Sequence, residues 1–308
     1  MKSRLIVNPV SGTDTAPSYL PIINQALREN FDDLDISLTI AAGDAQKIAG
    51  ETAHNPDYSH IFIAGGDGTL NEVLNGVAQV KNALERITFG LIPLGTGNDF
   101  ASSALGLSEN IEETLAVLKK KQTIAVDVGQ IEIDEQTHYF INVSAGGFIA
   151  EVSSNVDPQL KSFAGKLAYL IGGAQVLFNF EPVRTAVKIH YPDEIVQRIY
   201  EIEMFAVCNS RLIGGGQMIA PEAEIDDGLF DVCIFKDVDT FQFLNLLREI
   251  SAGTHLDNEE TVYLRVPKIE FEFDRKIKVN ADGEVFPAQK CSYKILPRAA
   301  QFFTANLP

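Results

Sequence analysis

Residues 60–76 read HIFIAGGDGTLNEVLNG. The apolar run Ile61, Phe62, Ile63, Ala64 ends in Gly65-Gly66-Asp67-Gly68-Thr69, and an amphipathic stretch with Leu70, Val73, Leu74 and Val77 follows. This order reads as strand, glycine turn, helix. Such a turn presents backbone N–H groups and a helix N-terminus to an anion, typically a phosphate. Asp67 puts a carboxylate in the same place. A carboxylate repels phosphates unless a metal ion or a protonated acceptor lies between them. The segment therefore points to phosphoryl chemistry with Mg²⁺ rather than to simple phosphate storage.

The same unit recurs on either side of this stretch. Leu5-Ile6-Val7 leads into the loop Asn8-Pro9-Val10-Ser11-Gly12 and a helical pattern near residues 19–30. Residues 34–40 read as a strand, Ala41-Ala42-Gly43 as a turn, and Asp44 as the cap of a helix to about His54. The helix after the opening turn covers residues 70–79, and residues 87–92 form the next strand. Pro93-Leu94-Gly95-Thr96-Gly97-Asn98-Asp99 then opens another helix. Gly95 and Gly97 permit close backbone approach, Thr96 offers a hydroxyl, and Asn98 and Asp99 stand where an N-cap belongs. This βαβα order implies a doubly wound, Rossmann-like parallel sheet with helices on both faces and ligands at the carboxyl ends of its strands. All three glycine-bearing loops lie at those ends.

After about Asp127 the pattern changes. Strand patterns follow one another at 128–133, 139–143, 183–190, 196–206, 230–235, 262–266, 269–273, 277–280 and 291–296. Two helical patterns interrupt them, at about 162–179 and 240–250. This predicts a second, mostly antiparallel β-sandwich domain. The expected division is residues 1–127, with a C-terminal return at 297–308, and residues 128–296. The return is expected to be a short helix over residues 299–307.

Composition narrows the function. Apolar residues make up 45% of 308, enough for a sizeable core. The net charge of −17 excludes a diffuse basic surface, so no nucleic-acid partner is expected. Residues 163–180 form the most apolar long stretch, but lysine, glutamine, asparagine and glycines interrupt it, and a buried helix is expected. Cys208, Cys233 and Cys291 are widely spaced and read as small buried residues in a reducing, cytoplasmic setting. The five histidines show no metal spacing, and surface or capping roles are expected for them.

Taken in order, N-P-x-S-G, G-G-D-G-T-x-N-E-x-x-N-G and P-x-G-T-G-N-D-F-A resemble the bacterial diacylglycerol kinase catalytic family, the YegS-like lipid kinases related to sphingosine and ceramide kinases. Residues 220–229 (APEAEIDDGL) and 280–284 (NADGE) extend the resemblance along nearly the whole chain. It implies ATP- and Mg²⁺-dependent transfer of a γ-phosphoryl group to a lipid hydroxyl, most simply diacylglycerol to phosphatidic acid. It also implies a nucleotide cleft between an ATP-binding α/β domain and a β-rich lid. By position, Asn8, Pro9, Val10, Ser11, Gly12, Gly65, Gly66, Asp67, Gly68, Thr69, Leu70, Asn71 and Thr96 would meet the nucleotide, together with Glu284. Asp67 and Asp99 would organise Mg²⁺ and its waters. Glu284, supported by Asp282, would accept the proton of the substrate hydroxyl. Glu224, Asp227 and the carbonyl of Leu229 match a separate structural Mg²⁺ site. The resemblance further implies a peripheral location at the inner membrane face, and a homodimer is compatible with it.

Two departures stand out. Thr13 and Asp14 occupy positions where the family often has a basic residue, and Ala41-Ala42-Gly43 lacks the family's threonine. The competing readings are a kinase for another lipid (phosphatidylglycerol or a sphingoid base), an NAD kinase, and a non-catalytic nucleotide- or lipid-binding regulator. The P-L-G-T-G-N-D-F-A continuation disfavours the NAD kinase. The intact Asp67, Asp99 and Glu284 disfavour the regulator.

Overall fold

A computed structural model describes residues 2–12, 16–155 and 181–306. Thr13, Asp14 and the helical pattern at 162–179 lie outside the described residues. The chain divides into two compact units, Met1–Val128 with Pro297–Pro308, and Gly129–Leu296. Among the described residues no helix is long and apolar enough to cross a membrane.

In the first unit, β1 (Lys2–Val7), α1 (Ala16–Asn30), β2 (Leu34–Leu38), α2 (Asp44–His54), β3 (Tyr58–Gly65), α3 (Asp67–Ala78), α4 (Ala83–Arg86), β4 (Thr88–Pro93), α5 (Asp99–Ser103) and α6 (Ile111–Lys120) follow in order. The strands are parallel in the order β2, β1, β3, β4. Leu5 and Val7 of β1 and Phe62 and Ala64 of β3 form one core with α1 and α6. The alternate residues Ile6, Ile61 and Ile63 are buried on the opposite face. Over that face α2 and α3 pack at very short range. A Cβ on Gly76 would stand 2.1 Å from the carbonyl oxygen of Gln46, so only glycine lets the helices approach this closely.

The C-terminal return is a strand, not the expected helix. It is the end of β15 (Glu284–Phe303), and Gln301 and Phe302 pair in parallel with Thr88 and Phe89 of β4. The open edge of β4 supplies hydrogen-bond partners that a helix could not use. Phe302 stacks on Phe89 at 5.0 Å between centroids, and Phe303 lies parallel to Phe62 at 5.9 Å. The buried carboxylate of Asp127 accepts the Arg298 N–H at 2.6 Å, where β15 enters this unit.

The second unit contains the end of β5 (Thr123–Ile133), then β6 (Gln136–Phe140), β7 (Val143–Gly147), α7 (Phe148–Asn155), β8 (Val183–His190), β9 (Ile195–Cys208), β10 (Leu212–Ile213), β11 (Gln217–Met218), β12 (Phe230–Lys236), α8 (Thr240–Ala252), β13 (Thr261–Val266), β14 (Lys268–Ala281) and most of β15. The ladders β10–β11, β12–β13, β12–β9, β14–β15, β14–β7, β14–β8, β5–β6, β7–β9 and β8–β9 are antiparallel. The patterns at 269–273 and 277–280 form one strand, β14, whose register with β15 shifts between Glu272 and Ile277. The β9 and β14 strands each change neighbour along their length, from β8 to β7. The curled sheet closes over an aromatic core in which Phe205 stacks on Phe271 at 4.4 Å. Phe243 and Leu246 of α8 join a second core on the other face, with Met204 and Phe235. His255 departs from the expected surface role. It is fully buried, with Nε2 2.9 Å from the Ile219 carbonyl oxygen.

Glu203 stands at the point where β9 changes partner. Phe235 pairs with Met204 and Lys236 with Ile202, so Glu203 is the extra residue of a bulge. It is 5% exposed. Burial, reinforced by the Asp237 charge, pushes its carboxyl from an ordinary 4.5 up to about 7. A raised carboxyl value favours folding below the unfolded-state value, and that contribution disappears as pH rises through about 7. Thermal unfolding is therefore expected to show lower stability at pH 8 than at pH 5. Glu203→Gln should flatten this slope and add roughly 2–3 kcal/mol at the alkaline end. Equal slopes in the two proteins would clear Glu203 of the effect.

Candidate functional site

The three glycine loops of the first unit are held backbone against backbone. Asn8 follows β1 and donates from Nδ2 to the Thr69 hydroxyl at 3.1 Å, while its Oδ1 accepts the Val10 N–H. Gly12 has φ +67°, and a Cβ there would fall 2.4 Å from the Leu94 carbonyl oxygen. A Cβ on Gly95 would fall 2.5 Å from the Gly66 Cα. Ordinary side chains at these positions would drive the loops apart.

The opening turn is shorter than expected. Gly65 is the last residue of β3, Gly66 is the N-cap, and α3 begins at Asp67 rather than at Leu70. The Gly66 carbonyl accepts the N–H groups of Thr69 and Leu70, which places Asp67, Gly68 and Thr69 in the first helical turn. An acidic residue suits that end of the helix dipole. Gly68 is exposed, and a Cβ there would meet nothing within 4 Å. Leu70 and Asn71 are only 3% and 2% exposed, so their side chains turn inward; the Asn75 amide bonds that of Asn71. Ser11 is nearly buried, whereas Val10 and Thr96 stand exposed.

Asn98 stands at the N-cap of α5 but makes no cap bond with its own side chain. Asn98, at φ +54°, uses its amide to hold both the N–H and the carbonyl of Gly95, at 3.0 and 2.7 Å. The cap is Asp67, which accepts the N–H of Asp99 at 3.0 Å and that of Phe100 at 3.4 Å. Gly97 leaves room for this, since a Cβ would lie 3.2 Å from Asp67 Oδ2. Burial raises the Asp67 carboxyl above its usual range; the two N–H bonds offset this in part, and the Asp99 charge adds to it. Two neighbouring, largely buried carboxylates suit a divalent cation with oxygen ligands. The Asp44 turn follows the same logic. Gly43 is the N-cap of α2, and Glu72 of α3 accepts the N–H groups of Gly43 and Ala45 at 3.0 Å. The sequence motif contains Glu72, but its capping role is visible only across 29 residues.

In the second unit, Asp282 (φ +45°) and Gly283 (φ +99°) form the two-residue turn between β14 and β15. Glu284 follows on the exposed side, near enough for its charge to act on His138. Asp282 stands in the turn directly before Glu284. Its carboxylate accepts the N–H groups of Ile141, Asn142 and Val143 at 2.6, 3.1 and 2.9 Å. A carboxylate in such a cluster of backbone donors is an anchor, and it fixes the turn that presents Glu284.

The residues of the implied structural metal site do not fit a metal. Asp227 accepts the Leu229 N–H at 2.9 Å with one oxygen and pairs with Arg265 through the other. Glu224 is exposed. Among the described residues, no three His, Cys, Asp or Glu side chains are grouped to hold an ion.

Two substitutions test these supports. Gly95→Ala forces the two turns apart and is expected to cost about 1–3 kcal/mol in urea unfolding. Asp282→Ala leaves three backbone N–H groups without their acceptor and should cost about 2–4 kcal/mol. A loss below about 0.5 kcal/mol in either would remove that residue from the framework.

Comparisons with known proteins agree with this architecture. Residues 2–131 match the diacylglycerol kinase catalytic domain, and residues 142–304 match the YegS C-terminal NAD kinase beta sandwich-like domain. The diacylglycerol kinase of Bacillus subtilis (strain 168) is 33% identical, covering 92% of this chain and 89% of its own. A probable lipid kinase YegS-like of Shewanella frigidimarina is also 33% identical, over 90% of this chain and 86% of its own. A solved chain from Bacillus anthracis str. Sterne superposes with a TM-score of 0.80 at 28% identity, covering 98% of this chain and 97% of its own. With both units matched and close relatives along almost its full length, the chain belongs to the diacylglycerol kinase family and is a lipid kinase.

Proposed function

We propose that the enzyme is an ATP- and Mg²⁺-dependent diacylglycerol kinase, converting diacylglycerol to phosphatidic acid at a membrane surface. The observation that carries this reading is the cradle of three glycine loops with the Asp67 carboxylate, held by the Asp99 N–H and within reach of the Asp99 charge, beside it. Phosphoryl transfer depends chiefly on positioning and on neutralising charge at the phosphate oxygens. Backbone N–H groups at Gly12 and Gly68, with the hydroxyls of Ser11, Thr69 and Thr96, are the donors assigned to the nucleotide phosphates. Asp67 and Asp99 are the acids that would hold Mg²⁺, which supplies the charge neutralisation when bound. Tying Asp67 to the Asp99 and Phe100 N–H groups keeps its carboxylate in one orientation.

Glu284 is assigned as the acceptor of the lipid hydroxyl proton. A hydroxyl is a weak nucleophile, and a positioned carboxylate takes its proton as the new P–O bond forms. The Asp282 anchor limits how far the turn bearing Glu284 can move. The diacylglycerol assignment is supported by the relatives from Bacillus subtilis and the staphylococci, which are diacylglycerol kinases by name.

Transfer of labelled phosphate from ATP to diacylglycerol in mixed micelles tests the reading. Phosphatidylglycerol, a sphingoid base and NAD serve as competing acceptors. Labelled phosphatidic acid is expected, with kcat lowered at least about 100-fold by Asp67→Ala and by Glu284→Gln. Labelling of another acceptor, with none of diacylglycerol, would overturn the substrate. Unchanged rates in both variants would overturn the residue assignments.

A further inference from the structure

Asp227, Asp231, Tyr263 and Arg265 form a charged cluster in the second unit that the proposed phosphoryl transfer does not use. Asp231 of β12 and Arg265 of β13 are direct partners across the antiparallel ladder. The Arg265 guanidinium pairs with the Asp227 carboxylate, and its Nε lies 3.8 Å from Asp231 Oδ1. The Tyr263 hydroxyl donates to that same Asp231 oxygen. The other Asp227 oxygen accepts the Leu229 N–H at 2.9 Å. Both oxygens of the carboxylate on the 224–229 loop are therefore engaged. Asp231 is fully buried, and its Oδ2 has no hydrogen-bond partner among the described residues. Burial pushes its carboxyl up to about 6, against the opposing effects of Tyr263 and Arg265.

Family resemblance assigns Glu224, Asp227 and Leu229 to a structural magnesium ion. Mg²⁺ demands near-octahedral oxygen coordination at about 2.1 Å and tolerates little distortion. It would need the Asp227 oxygen that the guanidinium holds, beside a fixed positive charge. A guanidinium offers the same neutralisation in a different geometry. It is planar, always charged and shaped to bind carboxylate edges. Its place on β13, directly opposite Asp231, brings it to both carboxylates without any movement of the loop.

We propose that Arg265 replaces the structural magnesium ion in this chain: its guanidinium is the built-in counter-charge of the 224–229 loop, and the second unit keeps its fold without a divalent cation. This goes beyond the lipid-kinase reading and does not rest on it. Its consequence is that any magnesium dependence of the enzyme arises elsewhere, at the donor acids.

The test is thermal unfolding of the full chain without nucleotide, in magnesium chloride and in EDTA. Wild type and Asp227→Asn should show the same magnesium response. Arg265→Gln should unfold at a lower temperature and gain a new magnesium-dependent rise, because two carboxylates are left without their cation. A site filled at 100 times its Kd raises Tm by roughly 5–10 °C. That new rise should vanish when Asp227→Asn is added to Arg265→Gln. A magnesium-dependent rise in wild type that Asp227→Asn abolishes would overturn the proposal. So would an Arg265→Gln protein that is destabilised yet gains no magnesium response. If Arg265→Gln does not fold, the comparison of wild type with Asp227→Asn decides alone.

Discussion

The contact between Gly66 and Gly95 is the constraint on which the cradle of glycine loops depends. Two turns that leave neighbouring parallel strands can meet only where neither carries a Cβ, and here a Cβ on Gly95 would lie 2.5 Å from the Gly66 Cα. Once the turns touch, Asp67 reaches across to the N–H groups of Asp99 and Phe100, and Asn98 closes on Gly95. Asn8 ties the first loop to Thr69 in the same way. The carboxylate that looked out of place beside phosphates is first of all a strut. Its burial and its neighbour Asp99 raise its proton affinity.

The second unit follows a comparable rule, with carboxylates organising backbone. Asp282 gathers three N–H groups from the segment between β6 and β7, and so fixes the turn before Glu284. Charge-assisted bonds of this kind are short and directional, which suits a residue whose task is to hold its neighbour still. Asp227 and Asp231 are organised differently, by an arginine on the adjacent strand. In each case the carboxylate's partner is distant in sequence: 139 to 141 residues for Asp282 and 38 for Asp227.

Much of the architecture was legible because it rests on local patterns. The alternation of apolar runs, glycine turns and amphipathic stretches yields the parallel sheet, and the run of strand patterns after residue 127 yields the antiparallel unit. Elsewhere a distant partner overrides local preference. The alanines and glutamine of residues 299–307 favour the expected helix, yet the open edge of β4 draws Gln301 and Phe302 into a strand. Asn98 read as a cap from its position, but Asp67 takes that role from 32 residues away.

By itself, the sequence determined the two-part architecture, the three strand-end loops and the identity of the acids beside them, because spacing and residue type suffice for turns, caps and periodicity. Only the tertiary structure decided what each acid does. A carboxylate can bind a cation, cap a helix, anchor a loop or pair with an arginine, and its chemistry is the same in every case. The choice is made by which N–H group or guanidinium the fold brings within about 3 Å. That is why Asp67, Asp282 and Asp227, alike in the sequence as turn aspartates, are a strut, an anchor and an ion-pair partner in the folded chain.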